Sequence, residues 1–363
     1  MNPYKNTRSF LFLLSTVIIL NACGGGSTSE NITQTSLEVS NITSSAIHEG
    51  KLIDNTTGKP IENVTVTVEG QTTTTDKNGM YKFTNLAETE NAIVNFNKDG
   101  YQIGSKAIKI KSTTHNFVEY HMNKHNYQWD IENLEEFSSP SVAIELNAFT
   151  NINKTSLNDT ISIHLTILNN DDEALLNTFP GKFEGIDTNG ANVKFITYGL
   201  IAVKFNDSRG NSLDLDEGET ATLTFKALTT VGKPQTLPLW YYDYKQGLWF
   251  EKGSAQLQEN GTYKGDISHL GTWAINKPIE NESAMYKGHI VDENDQPMSN
   301  ARLIAKGDNW VTYDLSTDEN GLFEIEVIPD SSFYLSAYNY EEKYSASYDT
   351  KMLPIASGNV VED

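Results

Sequence analysis

The chain has 363 residues, with 48 Asp and Glu against 27 Lys and Arg, a formal net charge of -21. That balance excludes a nucleic-acid grip, which needs clustered cations, and it excludes a basic patch for anionic lipid. The single cysteine excludes an internal disulfide framework.

Residues 1–22 read as a targeting segment. Lys5 and Arg8 form a positive start, and Phe10 to Leu20 is an apolar run too short to span a bilayer comfortably. The run ends in Leu20-Asn21-Ala22-Cys23, which resembles the lipobox of bacterial lipoproteins. The resemblance implies cleavage before Cys23 and lipid attachment to its sulfur, with palmitate labelling and a membrane partner. The other reading is an ordinary secretory signal followed by a chance cysteine. Gly24 stands where Asp tends to retain such proteins at the inner membrane, so the expected address is the outer membrane. Residues 23–45 are rich in Gly, Ser, Thr and Asn and read as a flexible tether. A tether of about 20 such residues reaches on the order of 25 Å.

The remainder is β in character, with Tyr and Phe plentiful and Val, Ile and Thr in alternating runs. In the stretch 46–123, Val64, Val66 and Val68 alternate with Thr65, Thr67 and Glu69, which makes one face apolar. Thr75-Asp76-Lys77-Asn78-Gly79 follows, then Tyr81-Lys82-Phe83. Asn-Gly between alternating apolar residues predicts a β-hairpin, with the Asp bonding backbone N–H groups of the turn. Turns at Gly58-Lys59-Pro60 and Asp99-Gly100-Tyr101 complete a series of short strands. Together these motifs resemble the carboxypeptidase regulatory-like domain. The resemblance implies a transthyretin-like, seven-stranded, non-catalytic sandwich, in which Gly50, Pro60, Asp76, Gly79, Phe83 and Gly100 are structural positions.

The middle, 124–278, also alternates. Strands are predicted at Ser141 to Phe149, Thr160 to Leu168, Leu200 to Asn206 and Thr220 to Leu228, then Leu237 to Asp243, with acidic turns between them. Residues 195–278, with Leu239-Trp240, Gly247-Leu248-Trp249, Gly261-Thr262-Tyr263 and His269 to Trp273, are similar to a segment of cartilage intermediate layer proteins. That similarity implies no catalytic residues. Trp240, Trp249 and Trp273 have two readings, a sugar-stacking platform or core filling. Strand periodicity favours the core, because Trp240 and Tyr242 share one face while Tyr241 takes the other.

Residues 284–363 repeat the first motif. Gly288-His289-Ile290-Val291-Asp292 matches Gly50-Lys51-Leu52-Ile53-Asp54, and Thr317-Asp318-Glu319-Asn320-Gly321 matches the turn at Thr75. The expected fold is therefore all-β, with tandem sandwiches flanking a middle β domain.

Candidate chemistry is sparse. His121 and His125 are four apart with His115 near, a spacing that suits zinc on a helix. No helix cap is evident, and the segment lies between β regions, so no metal site is assigned. Ser268 and His269 are adjacent, and neighbours on a strand point to opposite faces, which predicts no nucleophile–base bond. His269 is expected to be a buried structural residue near Trp273. The turn at Asp292-Glu293-Asn294-Asp295 lacks the ligand ladder of a calcium loop. No catalytic, cofactor or metal residues are assigned. Cys23 is the one assigned site, as lipid attachment. The leading expectation is a non-catalytic, lipid-anchored envelope protein acting as a structural or adhesive module for a protein or glycan ligand. The alternatives are carbohydrate binding through Trp240 and Trp249, and an accessory chain of an envelope hydrolase.

Overall fold

The computed structural model describes residues 46–112, 116–131, 160–169, 172–215, 217–226, 233–280, 283–292, 294–339, 344–347 and 351–362. The leader, Cys23, the tether, His115 and the strand expected at Ser141 to Phe149 lie outside them.

The first unit has seven strands: β1 (Ala46–Asp54), β2 (Thr65–Val68), β3 (Gln71–Thr74), β4 (Met80–Leu86), β5 (Thr89–Asn97), β6 (Gly104–Ile110) and β7 (Asn116–Met122). One sheet runs β4-β1-β7 and the other β3-β2-β5-β6. The alternation read from sequence is the core pattern: Val64, Val66 and Val68 are buried, and they share a cluster with Phe83, Val94, Phe96, Ile108 and Tyr120.

The middle unit contains β8 (Tyr127–Ile131), β9 (Ile161–Asn169), a short helix α1 (Glu173–Thr178), β10 (Glu184–Ile186), β11 (Asn192–Asn206) and β12 (Ser212–Leu213). It continues with β13 (Ala221–Phe225), β14 (Thr236–Asp243), β15 (Leu248–Leu257), β16 (Tyr263–Ile267) and β17 (Gly271–Pro278). They form a single ten-stranded sheet in the order β13-β16-β15-β14-β17-β11-β9-β8, with β10 and β12 alongside. Both faces are covered. Trp240 and Tyr242 belong to one apolar cluster, while Leu237, Leu239 and Tyr241 belong to the cluster on the opposite face. Helix α1 was not foreseen, since its stretch reads as an acidic turn.

The third unit has β18 (Ala284–His289), β19 (Arg302–Lys306), β20 (Val311–Ser316), β21 (Leu322–Val327), β22 (Tyr334–Asn339), β23 (Tyr344–Ser347) and β24 (Val360–Glu362). Its sheets run β21-β18-β24 and β20-β19-β22-β23, the order of the first unit strand for strand. In both units the first strand pairs antiparallel with the fourth and parallel with the seventh.

The expectation of a hairpin at each Thr-Asp-x-Asn-Gly turn is corrected by this topology. β3 and β4 lie in different sheets, as do β20 and β21, so the turn is the corner where the chain crosses from one sheet to the other. The hairpins are β2–β3 and β19–β20. Local turn chemistry closes the corner alone: Asp76 N donates to the Met80 carbonyl and Gly79 N to the Asp76 carbonyl, both at 2.9 Å. What each flank pairs with beyond that is set elsewhere. Thr75 turns back: its hydroxyl donates to the Ile61 carbonyl at 2.7 Å and accepts from Val64 N at 2.9 Å. Gly79 turns forward, its carbonyl accepting from Leu52 N of β1 at 2.9 Å. Thr317 repeats the first arrangement with Met298 and Ala301, and Gly321 repeats the second with Ile290.

Candidate functional site

The Asp of the repeated turn does structural work. Asp76 Oδ1 accepts from Asn78 N and Met80 N, both at 2.8 Å. Asp318 does the same with Asn320 N and Leu322 N. The device recurs at Asp187, Asp207 and Asp292, each bonding the N–H groups two and four residues on. Hydrogen bonds hold these three carboxyls below the usual range, led by Ala191 N–H for Asp187, the Asn211 side chain for Asp207 and Gln296 N–H for Asp292. An oxygen committed to two backbone donors fixes the turn. Among the described residues no group of three His, Cys, Asp or Glu converges as metal ligands would.

Asp54, at the end of β1, is nearly buried. It accepts from Thr56 N, Thr57 N and the Tyr101 hydroxyl, the last at 2.7 Å, with Lys124 Nζ 3.3 Å away. Burial pushes its carboxyl up, but the bonds from Tyr101, Thr57 and Lys124 outweigh burial and hold it down at about 2.

The tryptophan platform is overturned. Trp240, Trp249 and Trp273 are among the largest fully buried side chains. Each indole N–H is taken inside: Trp240 donates to the Asn276 carbonyl at 3.2 Å, Trp249 to Pro180 at 3.0 Å and Trp273 to His269 at 3.1 Å. Phe179 stacks on Trp249 with centroids 4.8 Å apart, and Phe195 lies 5.1 Å from Trp240. A sugar has no access to these rings.

Ser268 and His269 require a second correction. Ser268 Oγ lies 3.2 Å from His269 Nδ1, because the pair occupies the bend between β16 and β17, where strand alternation does not apply. His269 is half-buried, with its ring edge-on to Tyr241 at 4.0 Å and 4.9 Å from Trp273. Burial lowers its basicity, partly offset by Asp214. His121 sits on β7 beside Glu119 at 3.6 Å, whereas His125 lies in the connector beyond that strand and bonds Thr166. The two histidines share no helical face.

What the fold builds with most care are the seams between units. At the first, the Tyr242 hydroxyl donates to Ser105 Oγ at 2.8 Å, and Gly181 N donates to the Ser105 carbonyl at 3.0 Å. The Tyr244 hydroxyl donates to the Ile103 carbonyl at 3.1 Å, and Asn95 Nδ2 donates to the Tyr244 carbonyl at 2.9 Å. The Tyr120 hydroxyl and Asn123 Nδ2 both bond Thr178 at the end of α1, at 2.9 and 2.6 Å. Burial raises the Tyr242 and Tyr244 hydroxyls above the ordinary phenol range, so both stay donors. At the second seam, one apolar core runs from Phe179, Phe195, Trp240 and Trp249 into Tyr286, Leu303, Trp310 and Phe333. Thr197 N donates to the Asn309 carbonyl at 3.0 Å, and Lys194 pairs with Glu326. Sequence reading missed Ser105, Thr178 and Asn309, since small polar residues carry no local signal of the surface they meet.

These features define a multi-unit β protein held together by buried seams. Residues 48–130 match the family model of the CarboxypepD_reg-like domain. A comparison with curated proteins finds no match. Among solved structures, the chain is similar to the TIE protein of Bacillus anthracis, at 12% identity and a TM-score of 0.20, covering 87% of this chain and 50% of that one. It thus spans half the length of that protein. It is also similar to BcpA, the major pilin subunit of Bacillus cereus, at 12% identity and a TM-score of 0.19, covering 88% of this chain and 97% of that one. SpaD, the major pilin of Corynebacterium diphtheriae, aligns at 11% identity and a TM-score of 0.19, covering 88% of this chain and 96% of that one.

Proposed function

We propose that this chain is a non-catalytic structural or adhesive module of the bacterial envelope, anchored through lipid on Cys23 in the outer membrane. Residues 46–123, 124–278 and 284–363 are its three domains, and the last is a second carboxypeptidase regulatory-like copy. The observation that supports this most is the construction of the seams. A core shared between the middle and third units, and buried hydroxyls locking the first to the middle, resist relative motion. Resistance of that kind suits a part that holds a binding surface at a set distance from its anchor. Residues 48–130 match the model of the CarboxypepD_reg-like domain, the family whose resemblance implies a non-catalytic sandwich.

Two measurements test the reading. In calorimetry of the full chain, the middle and third units should unfold in one transition, because neither can expose its half of the common core alone. Two separate transitions would remove the main support, and turnover of a hydrolase substrate that a point substitution abolishes would end the non-catalytic reading. Separately, Cys23→Ala should abolish palmitate incorporation in growing cells, and label retained on the variant would refute the anchor.

A further inference from the structure

The connector between β7 and β8 brings two histidines together at the seam between the first sandwich and the middle sheet. His125 and His164, on the connector and on β9, face each other with ring centroids 5.0 Å apart and planes inclined by 47°. His125 Nδ1 is 3.0 Å from Oγ1 of Thr166, a fully buried residue on β9. Its backbone N–H donates to the Gly100 carbonyl of the first sandwich at 3.1 Å. His125 therefore ties the two units together by one bond on each side. His164 Nδ1 is buried without a hydrogen-bond partner. The neighbouring charges are placed asymmetrically. Lys204 of β11 is directly cross-strand from His164. Asp130 of β8 is engaged by the Ser162 hydroxyl at 2.5 Å, and Asp99 lies in the turn after β5. Lys124, next to His125, is turned onto Asp54.

We propose that this contact is a proton-operated latch between the first sandwich and the middle sheet, closed while both imidazoles are neutral and released when they take up protons. Closed, His125 bridges Gly100 and Thr166. Protonation puts two imidazolium ions 5.0 Å apart next to Lys204, at half-buried positions that solvate them less well than bulk water, and opening the seam returns both to water.

The titration agrees in sign. Burial, then His164, then Lys204 lower His125 to about 4. Burial and then Lys204 lower His164, against the opposing pull of Asp130 and Asp99. The open state binds protons near the ordinary value of about 6.5. Between about 6.5 and 4 it therefore holds more protons than the closed state, and acid favours opening in that window. The latch is fully stable above it.

Hydrogen exchange of the full chain tests this, read on peptides spanning 120–131 and 162–168 and corrected for intrinsic rates. From pH 7 to pH 5 the opening constant should rise about 20-fold from His125 alone, while β2 and β14 stay flat. H125N/H164Q should exchange independently of pH. Lys204→Gln, which keeps both imidazoles and removes the nearby cation, should reduce the rise, and it decides the matter if the double variant fails to fold. A flat wild-type profile, an unchanged rise in the double variant, or an unchanged rise in Lys204→Gln overturns the latch.

Discussion

Gly79→Ala is expected to lower the unfolding free energy of the first sandwich by about 3 kcal/mol. Two causes add. Gly79 has φ of 74°, a left-handed conformation that costs an L-residue roughly 1–2 kcal/mol. A methyl group there would also stand 2.5 Å from the Leu52 carbonyl oxygen and 3.1 Å from Pro60 Cβ. The first neighbour is backbone of a central strand and cannot swing aside, so relief means moving β1 or the corner, at about 1–3 kcal/mol. Gly321→Ala should behave alike, because its φ is 73° and its methyl would run into the Ile290 carbonyl oxygen. Urea denaturation measures both. A loss below about 1 kcal/mol at either site, against the overpacking scale, would mean that the corner is looser than described.

Trp249→Ala is expected to cost more, about 3–5 kcal/mol. The indole is fully buried, stacked on Phe179 and packed against Tyr242, and its N–H is the donor to the Pro180 carbonyl. Truncation opens a cavity and strips that carbonyl of its partner. Trp249 belongs to the core shared with the third unit, so the thermal transition of both units should fall together. Trp249→Phe should recover part of the loss by refilling the cavity. A Trp249→Ala protein as stable as the wild type would return the side chain to the surface and reopen the sugar-platform reading.

The two substitutions mark the boundary between what could and could not be read in advance. Alternation at Val64, Val66 and Val68 specified which side chains face inward, and at Trp240, Tyr241 and Tyr242 which share a face, because a strand has only two faces. The same reasoning favoured the core for Trp240 and Trp249, and their burial agrees. It failed at Ser268 and His269, where the chain bends and adjacent side chains can meet. The His125–His164 contact joins residues on separate elements, and no spacing rule anticipates such a pair.

The repeated Thr-Asp-x-Asn-Gly motif shows the division most clearly. By itself the sequence determined that a tight turn forms there, since the Asp can bond N–H groups two residues on and Gly accepts positive φ. It also determined that the motif occurs twice, and that the stretch between its two occurrences is β in character. Only the tertiary structure decided that the turn is a corner between sheets and not the tip of a hairpin. The physical reason is that a turn dictates the direction of its two flanks over a residue or two, whereas pairing beyond it depends on which distant strand offers free N–H and C=O groups. Leu52 offers them to Gly79, and Ile61 and Val64 bind Thr75. Partners of that kind exist only once the chain has folded.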